Sequence, residues 1–160
     1  MNKFVLFTVL AAAAVAAAQD SPSLDRGFRR LYDIDFASAQ REFTLWQQQH
    51  PRDPLGPVSE AAGLLFSEFH RLGILEAQFF LKNSSFDSKR KLTPDPAVRK
   101  QFESALQRGE ERARQRLAAA PQDPDALFAA TLVYGLRADY AALIEKRNLD
   151  SLRHTRQATV

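Results

Sequence analysis

Asp33–Pro54, DIDFASAQREFTLWQQQHPRDP, is the stretch that decides the fold. Phe36, Ala39, Phe43 and Trp46 recur three and four residues apart, the spacing of one face of an α-helix. Asp33-Ile34-Asp35 separates them from an earlier stripe, Leu24, Phe28, Leu31 and Tyr32, so two helices joined by a short turn are expected. His50-Pro51-Arg52-Asp53-Pro54 then closes the second helix. Proline cannot continue it, and an aspartate before proline suits the start of the next. Its carboxylate can accept from an orphan amide, and proline in the first turn lacks only an N–H that is unpaired there anyway. The same ending returns as Ala120-Pro121-Gln122-Asp123-Pro124, 70 residues later. Gly27, Ala39, Phe43 and Pro51 stand at offsets of 12, 4 and 8, and the same offsets from Ala97 give Gly109, Ala113 and Pro121. An intermediate copy counted from Ala61 gives Gly73, Ala77 and Ser85, keeping the small residues and losing the proline.

Asp53-Pro54, Asp95-Pro96 and Asp123-Pro124 each mark a helix start. The third helix begins at the first of these pairs and carries Leu64, Leu65 and Phe69, followed by Leu72, Leu75, Phe79 and Phe80. After Asp95-Pro96, Val98, Phe102 and Leu106 recur every four residues, Ala113 and Leu117 extend the face, and Pro121 stops it. That predicts one long helix, Ala97 to Ala119. Beyond Asp123-Pro124, Leu127, Ala130, Thr131 and Tyr134 form a stripe that ends near Gly135, and Tyr140, Leu143 and Ile144 resume it. Either a further helix pair or one helix kinked at Gly135 satisfies that pattern. No sustained period of two occurs, so the chain reads as all-α. Residues 82–96, rich in Ser, Lys, Asp and Pro, are the one long irregular stretch, a length that in a compact domain is often functional or disordered.

The small residue in a first helix, the alanine in a second, the aromatic one turn later and the closing proline together resemble the tetratricopeptide repeat. The likeness is strongest over residues 27–54, moderate over 113–136 and weak between them. It is also similar to exported bacterial proteins with degenerate repeats of this kind. The resemblance implies antiparallel helix pairs stacked as a short right-handed solenoid with one irregular insertion, and a role in binding other proteins. Physically, small residues at Gly27 and Ala39 would let two helices approach closely, with Phe43 filling the space between neighbouring pairs.

The chain has 160 residues, and Met1 to Ala18 has the form of a removable export signal. Lys3 precedes the apolar run Phe4 to Val15, broken only by Thr8, and Ala16-Ala17-Ala18 precedes the polar pair Gln19-Asp20. The run falls short of the roughly 20 apolar residues that span a bilayer. The expected mature chain, 19–160, is a single helical domain, periplasmic or secreted, with no membrane span after cleavage. That length is too small for a doubly wound sheet plus a second domain or for an eight-stranded α/β barrel. Cysteine is absent, which removes disulfides, thiolate chemistry and a lipoprotein attachment site. The high pI reflects arginine outnumbering lysine 16 to 6 more than a net charge, which is only +3. Lys89-Arg90-Lys91 and Arg112, Arg114, Arg116 are the densest basic clusters. The second is interleaved with Glu110 and Glu111 and reads as a solvated helix face, so nucleic acid is not expected as a partner.

The inventory for chemistry is thin. His50, His70 and His154 are isolated, with no metal-ligand spacing, and His50 sits where it would end a helix. No Gly-x-Ser-x-Gly elbow and no phosphate loop occurs, and carboxylates such as Glu60, Glu68, Glu76 and Asp139 pair as they would in any helical protein. No catalytic residue, cofactor or metal is therefore expected. The partner-binding candidates are Phe79, Phe80 and Phe86 with Lys89, Arg90 and Lys91, an aromatic and basic group at the irregular stretch. The functional expectation is an exported, non-enzymatic scaffold or protein-binding module of the bacterial cell envelope. The alternative is a carrier or sensor holding an apolar or lipid-like ligand in an aromatic groove.

Overall fold

Short polar side chains set most of the helix starts in the computed structural model, which describes residues 22–75, 92–145 and 157–158. Ser23 opens α1 (Leu24–Tyr32), Asp35 opens α2 (Phe36–Gln49), Asp95 opens α4 (Pro96–Ala119) and Asp123 opens α5 (Pro124–Asp139). Each accepts an amide of the first turn, at 3.4 Å from Arg26, 3.1 Å from Ser38, 2.7 Å from Ala97 and 2.9 Å from Ala126. α3 (Leu55–Arg71) departs from the expected Asp-Pro start, because Pro54 rather than Asp53 holds the cap position and gives no side-chain bond. Asp53 still serves the turn, its Oδ1 accepting the Leu55 amide at 3.0 Å while its Oδ2 accepts the Trp46 indole at 2.7 Å.

The duplicated ending folds into a duplicated turn. His50 and Ala120 amides close their helices on the carbonyls of Trp46 and Arg116, both at 2.8 Å, and the Asp53 and Asp123 amides return to His50 and Ala120, both at 3.0 Å. Trp46 and Arg116, 70 residues apart, bond to the aspartate seven residues on, one through its indole and the other through its guanidinium.

Among the described residues the structure is all-helical, without strands. α1 packs on α2, α2 on α3, α3 on α4 and α4 on α5, while α3 also touches α1 and α5. α3 is thus the central helix. Val58, Ala61, Ala62, Leu65 and Phe69 join Phe102, Ala105 and Leu106 of α4 and Ala126, Ala129 and Val133 of α5 in one core. Gly109 permits the α3–α4 contact, since a Cβ there would lie 2.5 Å from Val58 Cγ2.

Two expected stripes and one repeat correspondence need correction. On α1 the buried residue is Gly27, whereas Tyr32 is 89 % exposed and Phe28 stays partly in solvent. The Phe43 ring occupies the space that a side chain at Gly27 would fill, so the centre of the packed face is the residue with no side chain. On α5 the buried set is Ala126, Ala129, Val133 and Leu136, one step around the helix from Leu127, Ala130, Thr131 and Tyr134. Gly135 neither ends nor splits the helix, and the chain continues through it to Asp139 and into a π-helical turn, Tyr140–Ile144. Nothing lies within 4 Å of where a Gly135 Cβ would stand, so Gly135→Ala should raise unfolding free energy by about 0.5–1 kcal/mol, read from a urea midpoint. Ala97 is also misassigned by its offset from Gly109. It lies exposed in the first turn of α4, on the same unbroken helix as Gly109 and Ala113, so it cannot act as a close-approach residue between two paired helices.

The α1–α2 elbow holds the one non-glycine residue with positive φ among those described, Ile34 at 63°. The Ile34 and Asp35 amides return to Leu31 and Arg30, the double closure that terminates a helix through a left-handed residue. A β-branched side chain is strained there, and this one is half in solvent. Ile34→Gly should therefore stabilise the fold by about 1 kcal/mol, seen as a higher melting temperature with unchanged helical circular dichroism.

The continuous helical unit Pro124–Ile144 has 21 residues and reaches a mean hydropathy of 1.3 over 18 of them, enough by length and composition to cross a membrane. In this structure its Ala126, Ala129 and Val133 are fully buried against the other helices, and Arg137 is ion-paired to Glu103 and Glu110 of α4.

Candidate functional site

Phe79, Phe80, Phe86, Lys89, Arg90 and Lys91 lie outside the described residues, as do the leader over 1–18 and His154. His50 caps the end of α2, its ring stacked on Trp46 with centroids 3.8 Å apart. His70 is exposed at the end of α3 with its ring 5.5 Å from that of Phe36. Among the described residues no group of three or more His, Asp or Glu is placed to hold a metal ion.

What the helices do assemble is a basic ledge. Lys100, Ser104, Arg108, Arg112 and Arg116 recur every four residues, each about 40° further round the axis than the last, and so form a row that winds slowly along α4. Two open clefts lie along it. One, of about 430 Å³, is bounded by Pro51 and Arg52 of the α2–α3 turn and by Arg108, Glu111 and Arg112. The other, of about 360 Å³, lies between Glu60 and the Lys100–Arg108 stretch, and Arg108 belongs to both.

Like charges four residues apart on a helix repel one another, so counter-ions decide what this stripe can do. Arg108 is neutralised by Glu60 at 2.8 Å, and Arg116 by Asp123 at 2.6 Å. Glu111, the other carboxylate in the cleft, is taken by Arg114 at 2.6 Å and by the Gln115 amide at 2.7 Å. Arg112 is different. It is half-buried, and its guanidinium donates to the Asp53 backbone carbonyl at 3.2 Å without a carboxylate partner among the described residues. Burial, and then the neighbouring Arg108, push its pKa below the ordinary arginine value. Arg41, Arg52, Lys100 and Arg112 are the described cations with no carboxylate within 4.0 Å, and all but Arg41 line the ledge.

The sequence reading took Arg112, Arg114 and Arg116 together as a solvated face, which fits Arg114 alone. Local spacing is the signal that separates them: Arg112 and Arg116 stand four residues apart, about 40° around the helix, whereas Arg114, two residues from each, lies on another side.

A second polar centre sits at the opposite end of α3. Glu68 is 2 % exposed, yet it accepts twice from Arg71, at 2.7 Å each, and once from the Asp95 amide at 2.8 Å. Arg71 also donates to the Thr93 carbonyl, so the pair pins the strand of chain that enters α4. Burial works to raise the Glu68 pKa, but Arg71 and the Asp95 amide outweigh it and hold the carboxyl below its usual value. Glu42, held in two bonds by Arg26 across α1 and α2, is likewise lowered. A folded-state pKa below the unfolded value of about 4.5 adds stability that is complete above that pH and is lost as pH falls through the folded value. Urea unfolding should therefore show a level stability from neutral pH to about 5 and a decline below about 4.5 as these carboxylates protonate.

Comparison with protein-family models, with curated proteins and with solved structures gives no match to this chain.

Proposed function

We propose that this chain is a protein-interaction module built as a short tetratricopeptide-like stack of antiparallel helix pairs, exported to the bacterial cell envelope and working without catalysis. The observation that supports it best is the order of helix contacts. Each described helix packs on the next, and α3 touches both α1 and α5, the neighbour-plus-next pattern that a stack of pairs requires. The turns at His50–Pro54 and Ala120–Pro124 add a second likeness, since the same bonds recur at a 70-residue interval.

Comparison of α3 with α5 at that interval indicates how the stack meets its surroundings. Val58, buried in α3 by α4, corresponds to Phe128, which is 56 % exposed, and the buried Ala61 corresponds to the exposed Thr131. A module that presents surface rather than enclosing a substrate has this character.

The test is crosslinking in the host envelope with a photoreactive residue at exposed α4 positions. A discrete protein adduct that requires the folded chain is expected, and the absence of any protein adduct from several such positions rejects the proposal.

A further inference from the structure

We propose that the α4 ledge binds an extended acidic segment of a protein partner, with Arg52, Lys100 and Arg112 receiving its side-chain carboxylates. This rests on the interaction-module reading and names the chemistry of the partner.

Charge is the first argument. The ledge carries three cations without carboxylate partners among the described residues, while both of its own acids, Glu60 and Glu111, are already engaged. A half-buried guanidinium left with a single carbonyl is short of the hydrogen bonds it can make, and its planar fork matches a carboxylate. An incoming carboxylate would also relieve the repulsion between Arg108 and Arg112 that works against the protonated form.

Length is the second. Lys100 to Gln115 spans about 22 Å at the helical rise of about 1.5 Å per residue, the reach of six or seven residues of extended chain. The exposed amides of Gln101 and Gln107 lie along this run, suited to a peptide backbone. Nucleic acid fits less well. No aromatic side chain lines either cleft for a base to stack on.

The test is fluorescence anisotropy of the full chain with a labelled, end-blocked hexaglutamate. Hexaglutamine, hexathymidylate and inorganic phosphate are run in parallel. Hexaglutamate should bind in a salt-sensitive manner, and hexaglutamine should not. Arg112→Gln and Lys100→Gln should each weaken binding about tenfold. Arg41→Gln removes a cation that is equally without a carboxylate partner but lies on α2, so it should change nothing. Because Arg112 also bonds to the Asp53 carbonyl, Arg52→Gln provides a variant with no hydrogen bond or ion pair to lose among the described residues, and it too should weaken binding.

Four results of this assay overturn the proposal. They are no binding of hexaglutamate, equal losses in the Arg41 and Arg112 variants, hexathymidylate binding as tightly as hexaglutamate, and displacement by phosphate at an ionic strength where sodium chloride has no effect. A crosslinked partner that binds the Arg112→Gln, Lys100→Gln double variant as well as the unmodified chain rejects the ledge and leaves the module reading standing. Hexaglutamate binding with no protein adduct in the host counts against the module reading alone.

Discussion

Replacing Phe43 by alanine should lower unfolding free energy by about 3–5 kcal/mol. Phe43 is 0 % exposed and stands between three helices. A Cβ at Gly27 of α1 would overlap its Cε1, a Cβ at Gly63 of α3 would touch its Cε2 at 3.4 Å, and the Phe28 ring lies 5.2 Å away. Two glycines thus form the walls of a slot that one ring fills. Removing the ring leaves a cavity that α1, anchored to α2 by the Arg26–Glu42 pair, can only partly close. Against a typical total of about 5–15 kcal/mol such a loss should bring the urea midpoint down sharply. Gly27→Ala supplies the coupling test. Alone it should destabilise by about 1–3 kcal/mol through overpacking, and in the Phe43→Ala background that penalty should vanish. Additive losses would mean that Gly27 matters for some reason other than the ring.

The second large effect belongs to Glu68 and Arg71. Glu68→Ala leaves the Asp95 amide without its acceptor, but the orphaned Arg71, about half exposed, can turn to water. A loss of about 2–3 kcal/mol is expected. Arg71→Ala is the harsher change, because the charge left behind is the one at 2 % exposure, and breaking a buried pair from that side costs about 3–5 kcal/mol. The pH dependence separates the two. Without Arg71, the effect of burial on Glu68 is much less opposed, and the folded-state pKa moves up. A carboxyl whose folded pKa exceeds its unfolded one destabilises at high pH and recovers as pH falls. The Arg71→Ala deficit should therefore shrink between pH 7 and about pH 5, while the Glu68→Ala deficit stays nearly constant. Equal pH profiles for the two variants would show that the pair does not act as a buried ion pair.

Much of the helix layout was legible because its signals are local. Aspartate caps, a proline stop and a three-four spacing each depend on a few adjacent residues, and they placed α2, α4 and the twin turns within a residue or two. What escaped depends on how close two helices come. On α5 the expected stripe runs through Leu127 and Tyr134, yet the helix buries the row one step round, which includes the small residues Ala126 and Ala129. The offset from Gly27 to Ala39 crosses a turn at Asp33–Asp35, whereas the equal offset from Ala97 to Gly109 runs through unbroken helix, and counting residues cannot separate these cases. On the ledge the types and period of the cations were in the sequence. Which of them lacked a counter-ion depended on Glu60 and Asp123 arriving from other elements, information that no single helix contains.

The lone tryptophan gives this molecule an optical property of its own. Trp46 is bonded to Asp53 across the first of the twin turns and stacked on the His50 imidazole, so its excited state faces a hydrogen-bonded carboxylate and an adjacent ring that can quench it. The corresponding position in the second turn is Arg116, which is dark. Emission therefore follows the opening of the α2–α3 turn alone, while circular dichroism sums over every helix. A lag between the two during unfolding would reveal one end of the stack loosening before the other, without attaching any label.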